Sequence, residues 1–365
     1  MAPSLTVHDA IEAAGFGRFQ VLLGLFCGFA WMADSMEIML ISILPPAFVC
    51  EWGISVYEQA LVLPLSTLPL QALGTTCMYI GLTLSSPFWG WFCDTHGRRK
   101  RVPESARFHI SHGEGEKAME VLRRVFRANG KRMPGGEIVV EEGTKERGSI
   151  RGLLSWRIRK TTILIWIIWL CCSFSNWGVI LYTPKYLQVG GNCVSSTVNG
   201  TAAHSECRPL SQQDYLDLAT TSFSEIPGLL FTFLIIDKLG RRRSMALQAA
   251  IYSIASFFLA SMCLSREWVL RLIFVIRAVG ASLFQTVYVY TPEVYSTSLR
   301  ATGLGMATMA SRVGGMASPL VAQVVASHSL SSAPALYGLT SLVAVVASLA
   351  LPIETAGRKL RDTHA

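Results

Sequence analysis

The sequence predicts an all-α, polytopic membrane protein, a bundle of about eight transmembrane helices. Three observations carry that prediction. The chain is 51% hydrophobic and only 15% charged, with a mean hydropathy of +0.40, too apolar for an ordinary soluble protein. Its apolar residues fall in runs of about twenty, enough to cross a hydrocarbon core of about 30 Å. A short basic signature also stands twice at the exit of such a run, as Gly90-Trp91-Phe92-Cys93-Asp94-Thr95-His96-Gly97-Arg98-Arg99-Lys100 and as Asp237-Lys238-Leu239-Gly240-Arg241-Arg242-Arg243. Repetition of that kind marks corresponding points in a duplicated membrane protein.

Residues 1–18 carry Asp9, Glu12 and Arg18 where a cleavable signal would need a basic start and a short apolar core, so the first span is expected to be its own signal anchor. Spans are expected near 19–43, 70–93, 161–183, 217–236, 244–264, 268–291, 302–326 and 334–352. The second is irregular: apolar character runs from Ala60 to Cys93, and Pro64 and Pro69 interrupt it, which predicts a re-entrant or extramembrane piece within Leu61 to Gly74. Residues 101–160 read as a polar linker. Within it Glu114 to Arg127 places Ala118, Met119, Val121, Leu122, Val125 and Phe126 at helical spacing, an amphipathic helix that either joins two bundles or docks as a regulatory element. Gly130 to Gly148 reads as a loop. The expected organisation is a cytoplasmic N-terminus over 1–18, a partial two-helix bundle over 19–100, the linker, a six-helix bundle over 161–353 and a cytoplasmic tail over 354–365.

Lys and Arg are dense over 98–160, at 238–243, near Arg300 and over 358–361, whereas 184–216 holds only Lys185 and Arg208. The positive-inside rule therefore puts both termini and the linker in the cytoplasm and 184–216 outside. That outer loop contains the sequon Asn199-Gly200-Thr201, which predicts a glycoprotein, and Cys193 and Cys207, for which a mutual disulfide is one pairing the loop allows. Cys27, Cys77, Cys93, Cys171, Cys172 and Cys263 lie in apolar runs and read as small buried hydrophobes, while Cys50 lies in a polar loop. The net charge of +8 is concentrated where topology needs bases, which argues against nucleic acid as a partner.

Asp34 and Glu37, three positions apart inside the first expected span, share a helix face. Carboxylates in hydrocarbon are costly and serve proton coupling, cation recognition or pairing with a base, unless they lie close enough to the surface to meet water. Arg277, Gln285 and Tyr288 fall near one stripe and offer a cation, an amide and a phenol. Such a stripe suits a polar or anionic solute, or else Arg277 forms an internal salt bridge, with Asp34 and Glu37 as candidate partners. Glu225, beside the kink-prone Ile226-Pro227-Gly228, and Arg312, mid-span, read as gate or structural pair. Trp166, Trp169 and Trp177 read as packing or interface anchors. No phosphate-binding Gly-x-x-x-x-Gly-Lys-Ser/Thr sequence and no clustered His/Cys ligand set is present, so neither an enzyme nor a cofactor or metal is expected. In the twin signatures Gly97 and Gly240 permit a tight reversal and Asp94 and Asp237 can bond a neighbouring helix N-terminus. Arg98, Arg99, Arg241 and Arg242 can tie to cytoplasmic acids such as Glu293 in one conformation, a breakable latch on an inner gate. Arginines at cytoplasmic helix ends are common to membrane proteins; the repeated acid, glycine and arginine spacing is the specific part.

With these residues the chain resembles the major facilitator superfamily, whose halves each carry such a signature after their second helix. Pro103-Glu104-Ser105-Ala106-Arg107-Phe108 is similar to the motif after the sixth helix of its sugar-porter and organic-ion branch. Pro292-Glu293-Val294-Tyr295 with Arg300 and Gly303 is similar to the motif after the tenth, and Pro352-Ile353-Glu354-Thr355-Ala356-Gly357-Arg358 to that after the twelfth. Gly15-Phe16-Gly17-Arg18-Phe19-Gln20 and Met36-Glu37-Ile38-Met39-Leu40 bring it closest to the synaptic-vesicle-related SVOP and SVOP-like group. The resemblance implies a secondary transporter of a small organic solute, proton- or ion-coupled, in a vesicle or plasma membrane. It implies that Asp34, Glu37, Asn176, Tyr182, Gln285 and Tyr288 face a central cavity. It also exposes a gap, because only Arg101 and Val102 separate Lys100 from Pro103, where helices three to six should stand. An incomplete N-terminal half would leave one cavity wall open to lipid, so the chain would tilt, dimerise as a homo- or hetero-oligomer, or act as a non-transporting membrane partner or regulator of a full-length relative.

Overall fold

A computed structural model describes residues 7–26, 28, 106, 109, 115–133, 150–189, 211–262, 264–326 and 329–357. All regular structure among them is helical: α1 (Val7–Ala14), α2 (Gly115–Ala128), α3 (Ile150–Leu153), α4 (Arg159–Val189), α5 (Gln212–Phe223), α6 (Glu225–Leu239), α7 (Arg241–Ser261), α8 (Arg266–Val294), α9 (Thr297–Pro319, prolonged by a π-helical turn at Leu320–Val325) and α10 (Ser332–Ala350). A further helical stretch covers 18–26. The remainder of the first expected span and all of the second lie outside the described residues, as does the loop expected at 134–148.

Five of the described helices are long and apolar enough to cross a membrane: Arg159–Leu187, Gln212–Leu239, Arg241–Ser261, Arg266–Val294 and Ser332–Ala350. α4, α8 and the α5–α6 segment run past both limits expected from hydropathy, whereas α7 and α10 are shifted by two or three residues toward the N-terminus. Ser211 and Asp214 form a reciprocal capping box that starts α5 well before Asp217. α4 continues through Pro184 and α8 through Pro292, and each proline follows a threonine. Thr183 donates to the Val179 carbonyl at 2.7 Å and Thr291 to the Val287 carbonyl at 2.8 Å, one residue before the Ile180 and Tyr288 carbonyls that each proline leaves without its helical donor.

α7 lies along α10, α4 packs against α9 and α10, and α8 contacts α4, α6 and α7. Two core clusters result. One, around Phe174, Tyr182, Tyr252, Ile273, Ile276 and Tyr337, lies toward the α7–α8 and α9–α10 connections; the other, around Leu153, Trp169, Met245, Leu283, Tyr290 and Leu351, lies toward the basic signature. Helices approach closely at small residues, as expected where apolar side chains gain nothing from leaving lipid. A Cβ on Gly314 would run into the Leu170 carbonyl of α4, and one on Gly228 into the Ala278 carbonyl of α8. α6 meets α8 along a narrow stripe of Gly228, Thr232 and Ile236, while its Leu230, Phe233 and Leu234 point outward.

Candidate functional site

α8 carries Arg277 into the bundle between the fully buried Ile273, Ile276 and Gly280 positions. Its side chain is 4% exposed; Nη2 donates to Glu225 Oε1 at 3.2 Å and Nη1 to Thr221 Oγ1 at 3.4 Å. The guanidinium Nε is buried without a hydrogen-bond partner. Glu225 stands at the junction of α5 and α6, where Ser224 Oγ turns back to the Thr221 carbonyl at 2.6 Å, and its side chain remains 47% exposed. Arg277 therefore has a partner that linear reading placed elsewhere. Asp34 and Glu37, the candidates named from sequence, lie outside the described residues.

The expected stripe on α8 separates with depth, because eleven residues of helix span about 16 Å. Tyr288 packs toward the Glu293 end of α8, its ring 4.5 Å from that of Trp169 and 5.3 Å from Phe284. Trp169 in turn donates to Thr291 Oγ1 at 2.9 Å, a packing role. Gln285 is half-buried between these levels. On α4, Asn176 Oδ1 lies against Gly280, where an added Cβ would come within 2.8 Å. Tyr182, expected to face a cavity, is instead 2% exposed and donates to the Leu330 carbonyl at 3.0 Å, so it ties α4 to the connection before α10. Arg312 is half-buried on α9 and has no ion-pair partner among the described residues.

Below this level Thr232, Gln248 and Ser282 join α6, α7 and α8 through a buried network: the two hydroxyls are 2.6 Å apart, and Gln248 Nε2 donates to Ser282 Oγ at 2.6 Å. The hydroxyls of Thr232 and Ser282 barely change hydropathy, and the polarity of Gln248 says nothing of which distant helix faces it.

At the basic signature, Gly240 adopts φ +80, a left-handed conformation that favours glycine, and starts α7 directly after α6. Arg241 binds Glu293 through Nε at 3.2 Å and Nη2 at 3.3 Å, and Asp237 through Nη1 at 3.1 Å. Thr355 Oγ1 donates to Glu293 at 2.5 Å, Arg242 Nη2 to the Leu349 carbonyl at 2.7 Å, and Arg300 Nε to the Pro292 carbonyl at 2.9 Å. The acid at the N-terminus of α7 is Glu354, which accepts from the backbone N–H of Arg241 at 2.8 Å and of Arg242 at 3.2 Å. Asp237 precedes α7 on the last turn of α6 and is 74% exposed, whereas the chain after α10 returns Glu354 to the helix start. Tyr295, next to this cluster, bonds Thr162, and burial holds its phenol above the usual tyrosine range against that bond. Asp94, Gly97, Arg98 and Arg99 of the first signature lie outside the described residues, as do Asn199, Cys193 and Cys207.

The opposite end holds a second ion cluster that hydropathy treated as span edges: Arg266 Nη2 meets Asp214 at 2.5 Å and Asp217 at 2.6 Å, joining α8 to α5. The one sequence signal for it is the Ser211-x-x-Asp214 capping box.

Residues 214–364 match the family profile described as Major Facilitator Superfamily. The chain is 35% identical over 468 residues to svop-1 of Caenorhabditis elegans, covering 99% of this chain and 88% of that protein. It is 32% identical over 465 residues to synaptic vesicle 2-related protein of Rattus norvegicus, covering 98% and 82%, and 28% identical over 462 residues to SVOPL of Homo sapiens, covering 98% and 94%. An alignment of 468 residues against a chain of 365 leaves roughly a hundred positions opposite gaps, the length of about four spans with their connections. Among solved structures, that of a proton:xylose symporter bound to 6-bromo-6-deoxy-D-glucose is similar with a TM-score of 0.49 and 15% identity, covering 87% of this chain and 69% of the other.

Proposed function

Because the chain belongs to the major facilitator superfamily, in its synaptic vesicle 2-related group, we propose that it is a secondary transporter of a small organic solute, working by alternating access. The observation that carries this reading is the Arg277–Glu225 pair. A guanidinium 4% exposed inside a membrane span is costly, and an ion pair kept there at the cost of stability is a functional device by default. Its unpartnered Nε leaves one donor for a solute acceptor, and the half-exposed Glu225 supplies a carboxylate that a proton or a cation can neutralise. Neutralising Glu225 would free Arg277 for a solute group, and solute release would restore the pair.

Access would be controlled at the two ends. Arg241 with Glu293, Thr355 and Glu354 ties the inner end of α6, α7 and α8 to the segment after α10, and Arg266 with Asp214 and Asp217 ties the outer end of α5 to α8. Partly wet ion clusters of this kind cost little to break and re-form, which suits a latch. In this reading Asp34, Glu37 and Arg312 complete the solute path, Asp94, Gly97, Arg98 and Arg99 repeat the inner latch, both termini are cytoplasmic, and Asn199 is glycosylated on the lumenal or extracellular face of a vesicle or plasma membrane.

The gap in the alignments favours one second reading: a non-transporting membrane partner or regulator of a full-length relative. Uptake of labelled organic anions, cations and hexoses into proteoliposomes separates the two. Flux that collapses in Arg277→Gln supports transport; binding to a full-length relative without flux supports the second reading.

A further inference from the structure

The linker helix is fastened to the start of the chain. Asn129, the residue after α2, accepts from the Phe19 amide at 3.0 Å and donates through Nδ2 to Gln20 Oε1 at 3.0 Å and to the Ala14 carbonyl at 3.3 Å. Lys131 Nζ donates to the Ala13 carbonyl at 3.3 Å, and Ala10 of α1 is buried with Ala118 and Leu122 of α2. These contacts hold the C-terminal end of α2 at the turn that leads into the helical stretch 18–26.

That stretch exposes Val21, Leu22, Leu25 and Phe26, as a lipid-facing helix does. The turn one helical step below it therefore sits at headgroup depth, and Phe16, 83% exposed there, has the position of an interfacial aromatic anchor. Around the turn the clasp gathers the exposed bases Arg18, Arg127, Lys131 and Arg132, with Arg123 and Arg124 one turn away. The acids of α2, Glu116 and Glu120, occupy its other half, and Glu120 pairs with Arg124 at 3.5 Å; Glu12 is an exposed acid on α1. Acid-first, base-last order also suits the dipole of α2, but Arg18, Lys131 and Arg132 lie outside that helix and gain nothing from it.

We propose that this cluster binds the phosphate groups of anionic phospholipids in the leaflet it faces. Juxtamembrane clusters of Lys and Arg of this size attract such lipids, and each base adds to the affinity. The site stands independently of whether the chain transports.

The test uses the full chain in detergent, titrated with a fluorescent short-chain phosphatidylinositol bisphosphate. Binding should saturate, weaken about tenfold or more in R127Q/R132Q, and weaken about three- to fivefold in Arg18→Gln, which lies on a separate element. Arg271→Gln, an exposed base 64% accessible on α8, should bind as the unmodified chain does. Inorganic phosphate at the same concentration should not displace the probe. Equal affinity in R127Q/R132Q and Arg18→Gln, an equal loss in Arg271→Gln, or displacement by inorganic phosphate would each overturn the proposal.

Discussion

Removing Glu225 should destabilise the chain more than removing Arg277, although both changes delete the same ion pair. In Glu225→Ala the guanidinium stays 4% exposed, with one contact to Thr221 at 3.4 Å and an Nε that already lacks a partner. Stripping the partner from a fully buried charge costs about 3–5 kcal/mol. Glu225 is 47% exposed, so water reaches the vacated space and lowers the expected loss to about 2–3 kcal/mol. Arg277→Met fills the buried position with an apolar side chain and leaves a carboxylate that water can solvate, a loss of about 1 kcal/mol or less. The double variant should then lose no more than Arg277→Met does, a coupling of about 2–3 kcal/mol. Denaturant unfolding of the four proteins in one detergent reads all three differences. Arg277→Met costing as much as Glu225→Ala, or strictly additive losses, would refute the picture of a buried cation held by a half-wet acid.

Two further outcomes follow from the packing. Glu354→Gln keeps the shape of the cap but removes its charge from the start of α7, so it should cost about 1 kcal/mol and speed hydrogen exchange at the Arg241 and Arg242 amides several-fold; unchanged exchange would contradict the cap. Gly314→Val should cost about 1–3 kcal/mol in unfolding experiments by forcing α9 from the Leu170 carbonyl, whereas Gly305→Val, with nothing within 4 Å, should be close to neutral; similar effects at both sites would contradict that contact.

Apolar run length made the C-terminal spans legible, because lipid imposes it on each helix separately. Their ends were less legible: α5 begins on a capping box, and α4 and α8 run on through Pro184 and Pro292. From sequence, Arg241 ties to acids such as Glu293, yet Glu354 does not stand out as the cap of α7, because it lies more than a hundred residues further along the chain. The same limit hid the partner of Arg277. Hydropathy marks an intramembrane charge but carries no information on which distant helix faces it, so Glu225 was recognised singly and not as half of a pair. Thr232 and Ser282 were invisible for a different reason, since a hydroxyl weighs little against the apolar runs around it, while Gln248 shares the limit that hid Glu225. The linker helix was expected from its periodicity, but its clasp on the N-terminal turn depends on the single side chain of Asn129.

Uptake by the 365-residue chain itself, reconstituted alone, tests the central claim most directly. The account predicts saturable accumulation of at least one class among labelled organic anions, cations and hexoses, abolished in Arg277→Gln and retained in Arg271→Gln. Absence of flux for every class, together with stable binding to a full-length relative, would contradict it.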